Sequence, residues 1–188
     1  MSIQSLILRN RSYRRFYQNE GIQQSQLESW VDLARLSPSA RNMQSLRFKL
    51  INDPKLNAQV FPLLKWAGYI EDWDGPIEGE RPAAYIVVLN DESLSNNYYC
   101  DDGLATQSLL LGGVEDGFGG CIIAAIDRSK LRKLLRIDEK YKIIHLIALG
   151  KPKEKVKIEK MENGAIKYWR DENQTHHVPK RDLKDLII

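Results

Sequence analysis

Apolar and polar residues follow one another along the chain in two patterns, one with the period of a helix and one with that of a strand. Helical spacing predicts a short helix over residues 2–10 and a longer one that begins near Ser25 and stops before Pro38. Ser25 and Glu28 have the spacing of a capping box, which satisfies free amides at a helix start. The same spacing predicts three further helices, over residues 53–64, 98–116 and 130–135.

Compact apolar runs predict four strands, over residues 48–51, 83–89, 121–126 and 141–149. Helices and strands alternate irregularly, which favours an α+β fold over a doubly wound sheet. We expect one domain over residues 1–188, with a core at 1–152 and a C-terminal extension at 153–188. The extension is polar up to Leu183, so we expect an arm that packs on something else.

Composition narrows the function classes. A hydrophobic fraction of 43% over 188 residues supplies the core of one sizeable domain. The net charge of +3 is small and its charges are mixed, which argues against nucleic-acid binding. No apolar run is long enough to cross a bilayer or to act as a signal segment, so we expect a cytoplasmic protein without a membrane partner. The two cysteines have no metal-binding spacing, and we expect no metal site.

Basic residues concentrate near the amino terminus, where four arginines fall within residues 9–15. Guanidinium groups donate paired hydrogen bonds to phosphate, and Ser12 can add a hydroxyl donor. A phosphate clamp therefore fits this segment. A solvated basic patch after a helix fits the same cluster equally simply.

A second candidate segment covers residues 34–48 and is rich in small and amide side chains. Small residues allow a planar ligand to approach the backbone, and Asn42 and Gln44 can both donate to and accept from its polar edge. Without other information, an ordinary loop between a helix and a strand explains this segment as well.

The ordered pair of segments resembles the nitroreductase family. The residues that carry the resemblance are Arg11-Ser12-Tyr13-Arg14-Arg15-Phe16, then Ala34, Pro38-Ser39, Asn42, Gln44 and Phe48. Further matches are Asp102, Ala105, Gln107 and Leu109–Leu111, Gly117 with Gly119–Cys121, Leu149–Pro152, and Pro179–Leu183. Two positions depart from the family pattern: Asn10 stands in place of an arginine, and Ser45 in place of a proline.

The resemblance implies a mostly antiparallel sheet flanked by helices, in a homodimer that exchanges C-terminal arms and holds FMN at its interface. One subunit is expected to supply phosphate and ribityl contacts from Arg11, Ser12, Tyr13, Arg14 or Arg15, and Lys180 or Arg181. It also supplies Ile122, Ile123 and Ala124 beside the flavin ring, where the amide of Ala124 or Ala125 faces N5. The partner is expected to supply Pro38, Ser39, Asn42 and Gln44.

The activity implied by the resemblance is an FMN-dependent, ping-pong transfer of electrons from NAD(P)H to a nitroaromatic, a quinone or another conjugated acceptor. No side chain is assigned as a catalytic acid or nucleophile, because the flavin carries the chemistry. Trp66, Tyr69 and Trp73 are candidate walls for the acceptor, although simple core packing explains aromatic residues equally well. Dehalogenation, reduction of an activated double bond and non-catalytic flavin binding remain open alternatives.

Overall fold

A five-stranded antiparallel sheet forms the centre of the computed structural model, which describes residues 1–188. Its strands are β1 (Phe16–Tyr17), β2 (Leu46–Ile51), β3 (Ala84–Asp91), β4 (Gly119–Ile123) and β5 (Tyr141–Pro152). The long strand β5 pairs with β3 along one edge and with β4 and β1 along the other, and β2 pairs with β3. The α+β fold with a mostly antiparallel sheet is therefore confirmed.

Strand β3 shows why the sheet has a hydrophobic core on each face. Side chains alternate between the two faces of a strand. Ala84, Ile86 and Val88 pack into one core with Trp30, whereas Tyr85, Val87 and Leu89 pack into the other. Because both faces of β3 are buried, its first six residues, Ala84 to Leu89, form a continuous apolar run rather than an alternating one.

Helices cover both faces of this sheet. They are α1 (Ile3–Arg9), α2 (Gln24–Arg35), α3 (Pro54–Val60), α4 (Asp101–Glu115) and α5 (Arg128–Leu135). All five fall where the helical pattern predicts them. Two details differ: the helix predicted over residues 53–64 ends at Val60 and continues as a 3-10 turn, and Leu36 lies beyond α2 and is exposed.

The predicted capping box of Ser25 and Glu28 is wrong. Helix α2 starts earlier, and the Gln26 side chain accepts a hydrogen bond of 3.0 Å from the amide of Gln23. The first residues of this helix are thus capped by Gln23 and Gln26. Glutamine can take the roles expected of serine and glutamate because its side-chain amide both donates and accepts hydrogen bonds.

Strand β4 begins and ends earlier than predicted, because two glycines lie within it rather than in the preceding turn. A Cβ on Gly119 would come within 2.6 Å of the Tyr13 ring, and one on Gly120 within 2.7 Å of the Ala148 carbonyl oxygen. The strand ends at Ile123, and the chain turns so that Ala125 accepts a hydrogen bond of 3.0 Å from the amide of Lys65.

The C-terminal extension has internal pairing that its polar sequence did not predict. It forms β6 (Val156–Lys160), β7 (Trp169–Arg170) and β8 (His176–Lys180), in the order β6-β8-β7. Strands β6 and β8 run parallel, and β7 and β8 run antiparallel. This small sheet contacts the amino-terminal arginine segment of its own chain. Exchange of the arm between subunits stays a prediction. None of the helices has the length and apolar character needed to cross a membrane.

Candidate functional site

The amino-terminal arginine segment, Arg11–Arg15, lies beside the first residues of strand β4. Ser12 forms a parallel bridge with Gly120, and the amide of Tyr13 donates to the Gly120 carbonyl at 3.0 Å. The missing side chains at Gly119 and Gly120 make this close approach possible. The fold thus brings together two segments that are more than a hundred residues apart in sequence.

Arg11 makes one side-chain hydrogen bond within the chain, fewer than Arg14 or Arg15. One of its terminal nitrogens donates to the Ile7 carbonyl at 2.8 Å, while its Nε is buried and has no hydrogen-bond partner. A buried donor without a partner is unfavourable, and unpaired groups of this kind often mark a place where a ligand binds.

Arg14 and Arg15, in contrast, are held by groups of the chain itself. The Arg14 guanidinium is 3.2 Å from both the Ser12 carbonyl oxygen and His176 Nε2. Arg15 donates to Glu80 at 2.9 Å, and Lys153 lies 2.9 Å from the same carboxylate. These two cations, led by the hydrogen bond from Arg15, lower the pKa of Glu80 to about 2.

A cleft of about 210 Å³ opens between Arg14 and the end of β4, and we call it the strand-end cleft. Its lining includes Arg14, Trp66, Ala67, Tyr168 and the run Cys121–Ala125. Ile122 is 48% exposed in β4, which pairs with β5 alone among the strands. The main-chain amides of Ala124 and Ala125 make no hydrogen bond within the chain, and both residues are exposed. The cleft therefore offers an apolar wall and free backbone donors.

Of the three predicted aromatic residues, Trp66 lines this cleft, whereas Tyr69 and Trp73 do not. Trp66 is only 7% exposed and packs against Phe61 with ring centroids 5.8 Å apart, although one side of it lines the cleft. Trp73 meets Trp66 edge-on at 6.5 Å and carries the Arg170 guanidinium at 4.1 Å. Tyr69 is half exposed and lies 5.1 Å from Tyr168. Core packing thus accounts for much of the Trp66 and Trp73 contact surface.

A second cleft, of about 310 Å³, lies beside the loop after α2, and we call it the loop cleft. Pro38, Ser39 and Gln44 line it together with Phe48, whereas Asn42 lies in the same loop but not in the lining. The loop has an unusual backbone: φ is 52° at Arg41, 55° at Asn42 and 48° at Gln44. Non-glycine residues rarely adopt this left-handed region, so surrounding contacts must hold the loop in place.

Asp101, at the start of helix α4, provides those contacts. Its carboxylate accepts from the Ser39 hydroxyl at 2.7 Å and from the Ala40 amide at 2.9 Å. Ser39 in turn accepts from the Gln44 amide at 2.9 Å. No short motif signals this contact, because Ser39 and Asp101 are 62 positions apart in the sequence.

The predicted residues therefore form two groups rather than one. The strand-end cleft and the loop cleft share no lining residue within the chain. Lys180 and Arg181, at the end of β8, are exposed and line neither cleft. Besides Asp101, sequence reasoning missed Glu80 and Tyr168. Their partners, Arg15 and Arg14, are 65 positions away or more, so no short motif signals the contacts.

Comparisons with a family model and with curated proteins agree on one family. The model of the nitroreductase family matches residues 7–151. A proposed NADH dehydrogenase/NAD(P)H nitroreductase of Archaeoglobus fulgidus is 27% identical over 148 residues, which cover 74% of this chain and 80% of that protein. A proposed NAD(P)H nitroreductase of Bacillus subtilis is 21% identical over 173 residues, covering 74% of this chain and 84% of the relative.

Solved structures share the fold. A nitroreductase family protein from Clostridium novyi superposes with a TM-score of 0.67 at 22% identity, over 81% of this chain and 88% of that chain. A proposed nitroreductase from Exiguobacterium sibiricum, solved in complex with FMN, gives 0.68 at 18% identity, over 81% and 89% of the two chains. Since the family model covers well over half of the sequence, this chain belongs to the nitroreductase family.

Proposed function

We propose that the protein is a homodimeric, FMN-dependent oxidoreductase that takes electrons from NAD(P)H and passes them to a nitroaromatic, a quinone or another conjugated acceptor. The observation that carries this proposal is the contact between the arginine segment and strand β4 beside the strand-end cleft. Family membership and the FMN bound to the Exiguobacterium relative support the same cofactor.

The residues present fit FMN. A phosphate needs cationic donors, and Arg11 has a buried Nε without a partner. A flavin ring needs an apolar wall with a few fixed polar groups, and the strand-end cleft has Ile122 together with the free amides of Ala124 and Ala125. Because Arg14 and Arg15 already have partners, we assign the phosphate contact to Arg11 and Ser12, with Lys180 or Arg181 as a further cation.

The two separate clefts favour a dimer. Ligand sites for molecules of this size have volumes of roughly 300–1,000 Å³, whereas the strand-end cleft measures about 210 Å³. A second subunit that places its loop cleft, with Pro38, Ser39 and Gln44, against this opening would complete the site. An exposed Asn42 in the same loop can then hydrogen-bond the polar edge of the ring.

Bound FMN supplies the redox chemistry, by accepting a hydride and releasing electrons to an acceptor. The chain contributes position and charge. The amide of Ala124 or Ala125 orients the ring, while the nearby cations stabilise developing negative charge. NAD(P)H and the acceptor must each lie against the same open face of the flavin ring, so they use it in turn, and we expect ping-pong kinetics.

Purification of the full chain tests the proposal. We expect a yellow dimer whose flavin is FMN and is bleached by NADH or NADPH under anaerobic conditions. Riboflavin lacks the phosphate and should bind at least about tenfold more weakly than FMN, since a charged hydrogen bond is lost. Equal affinity for the two flavins would contradict the phosphate assignment. A protein that takes up neither flavin would overturn the proposed function.

A further inference from the structure

The small C-terminal sheet lies outside the part of the chain that the family model matches. The match ends at residue 151, whereas the sheet spans residues 156–180. It is nevertheless joined firmly to the site. The Glu154 side chain is fully buried, accepts from the Arg14 amide at 2.8 Å, and accepts from Arg170 at 2.7 Å and 3.1 Å. Separation of such a pair leaves a buried charge unpaired, so the attachment is strong.

This attachment places Tyr168 at the strand-end cleft. Tyr168 precedes β7, is partly buried and lines the cleft together with Ile122 and Trp66. Three groups surround its ring: the Arg14 guanidinium at 4.9 Å, the His176 ring at 5.0 Å and the Tyr69 ring at 5.1 Å. The ring is therefore fixed in place before any ligand arrives.

We propose that Tyr168 is a specificity-determining residue, through which the C-terminal sheet selects flat aromatic electron acceptors such as naphthoquinones. A fixed aromatic wall favours planar rings because offset-stacked and edge-to-face contacts are available without loss of side-chain freedom. Small acceptors that lack an aromatic face gain little from it. This inference rests on the proposed function, since it assumes that the acceptor reaches the flavin through the strand-end cleft.

Two substitutions of Tyr168 distinguish the effect of its aromatic ring from the effect of its size. Tyr168→Leu keeps an apolar side chain without the ring, and Tyr168→Phe keeps the ring. The neighbouring Trp169 is a matched control, because its ring stacks on His177 at 5.0 Å and does not line the cleft. Trp169→Leu removes an aromatic residue from the same sheet without altering the wall.

The measurement is the binding of 2-methyl-1,4-naphthoquinone to the oxidised, FMN-loaded protein, followed by the change in flavin absorbance. We expect Tyr168→Leu to raise the dissociation constant about threefold to tenfold, in line with the loss of one aromatic contact. Tyr168→Phe and Trp169→Leu should change it less than about twofold. In turnover, KM for the quinone should rise in Tyr168→Leu by a larger factor than KM for ferricyanide, which has no aromatic face.

The outcomes distinguish this inference from the proposed function. A wild-type protein that binds no FMN overturns both. FMN bound at full occupancy in all variants, with equal quinone affinity for Tyr168→Leu and the wild type, overturns the role of Tyr168 alone. If Tyr168→Leu proves unfolded by circular dichroism, Tyr168→Met replaces it, because methionine also keeps a long apolar side chain without a ring. A dissociation constant at least about threefold above that of the wild type supports the inference, and an unchanged value, or equal weakening in Trp169→Leu, contradicts it.

Discussion

The Ser39 hydroxyl donates a hydrogen bond of 2.7 Å to the carboxylate of Asp101. This contact joins the loop after α2 to the first turn of α4, and it is buried on the aspartate side. The same carboxylate accepts from the Ala40 amide, so a single side chain holds a loop in which three non-glycine residues have positive φ. The loop cleft therefore depends on a residue that lines it but belongs to another element.

Replacement of Asp101 tests this dependence. We predict that Asp101→Ala lowers the free energy of unfolding by about 2–3 kcal/mol, because a buried charged acceptor of two hydrogen bonds is removed. The loosened loop should also weaken FMN retention. Asp102→Ala is the matched control, since it removes a carboxylate from the same helix end without touching the loop. Chemical denaturation and flavin content measure both effects, and equal loss in the two variants would contradict the prediction.

Substitution of Arg11 tests the assignment of the phosphate contact. Arg11→Ala removes the donor assigned to the phosphate, so we predict a weaker affinity for FMN by about tenfold or more with little change in stability. The exposed Lys130, paired with Asp127 on the surface and outside both clefts, provides the control variant Lys130→Ala. Isothermal titration with FMN gives the dissociation constants. Full flavin occupancy in purified Arg11→Ala would show that Arg11 does not hold the phosphate.

The ion pairs of Glu80 predict how the stability of the protein changes at acid pH. Arg15 and Lys153 lower its folded-state pKa to about 2 from an ordinary value of 4.5. Its contribution is therefore complete above pH 4.5 and is lost as the pH falls towards 2. We predict that Glu80→Gln destabilises the protein at neutral pH by at most about 3 kcal/mol, and that the difference from wild type vanishes near the lower pKa.

The control for Glu80 is Glu20→Gln, which removes an exposed partner of Lys151. Surface ion pairs contribute less than about 1 kcal/mol, so this variant should unfold almost as the wild type does. Urea unfolding at a series of pH values compares the two. A constant difference between Glu80→Gln and the wild type across the acid range would refute the ion-pair account.

His176, in the C-terminal sheet, also makes the protein less stable as the pH falls. Burial, with Arg14 and Arg170 nearby, lowers its pKa from 6.5 to about 4, against a smaller opposing effect of Glu154. Since the unfolded chain takes up this proton first, stability should fall as the pH drops from 6.5 to 4. We predict that over this pH range the free energy of unfolding of His176→Gln falls by up to about 3 kcal/mol less than that of the wild type.

The adjacent His177 provides a control of opposite sign. Hydrogen bonds to Asp171 and then to Glu159 raise its pKa, so its contribution is present at low pH and disappears as the pH rises through the folded pKa. His177→Gln should thus weaken the protein at acid pH and leave the His176 effect in place. Thermal melts between pH 4 and pH 8 distinguish the variants. Identical pH profiles for both substitutions would contradict the assignments.

Local patterns in the sequence determined the positions of the five helices and the central strands, because helical and strand periods depend on residues that are near one another in the chain. The motif order also determined the family, and it indicated Arg11–Arg15 and Pro38–Gln44 before any contact was known. Errors fell at element ends, as at β4, where two glycines that suggested a turn serve a close approach of chains.

Only the tertiary structure decided which of these groups remain available for a ligand. Glu80 pairs with Arg15, His176 contacts Arg14, and Asp101 holds the loop through Ser39. The residues in these contacts are 65, 162 and 62 positions apart in the sequence. It also decided that a polar C-terminal segment forms a sheet and brings Tyr168 to the cleft. The reason is physical: hydrogen bonds and ion pairs depend on distance in space, and only the folding of the whole chain sets those distances.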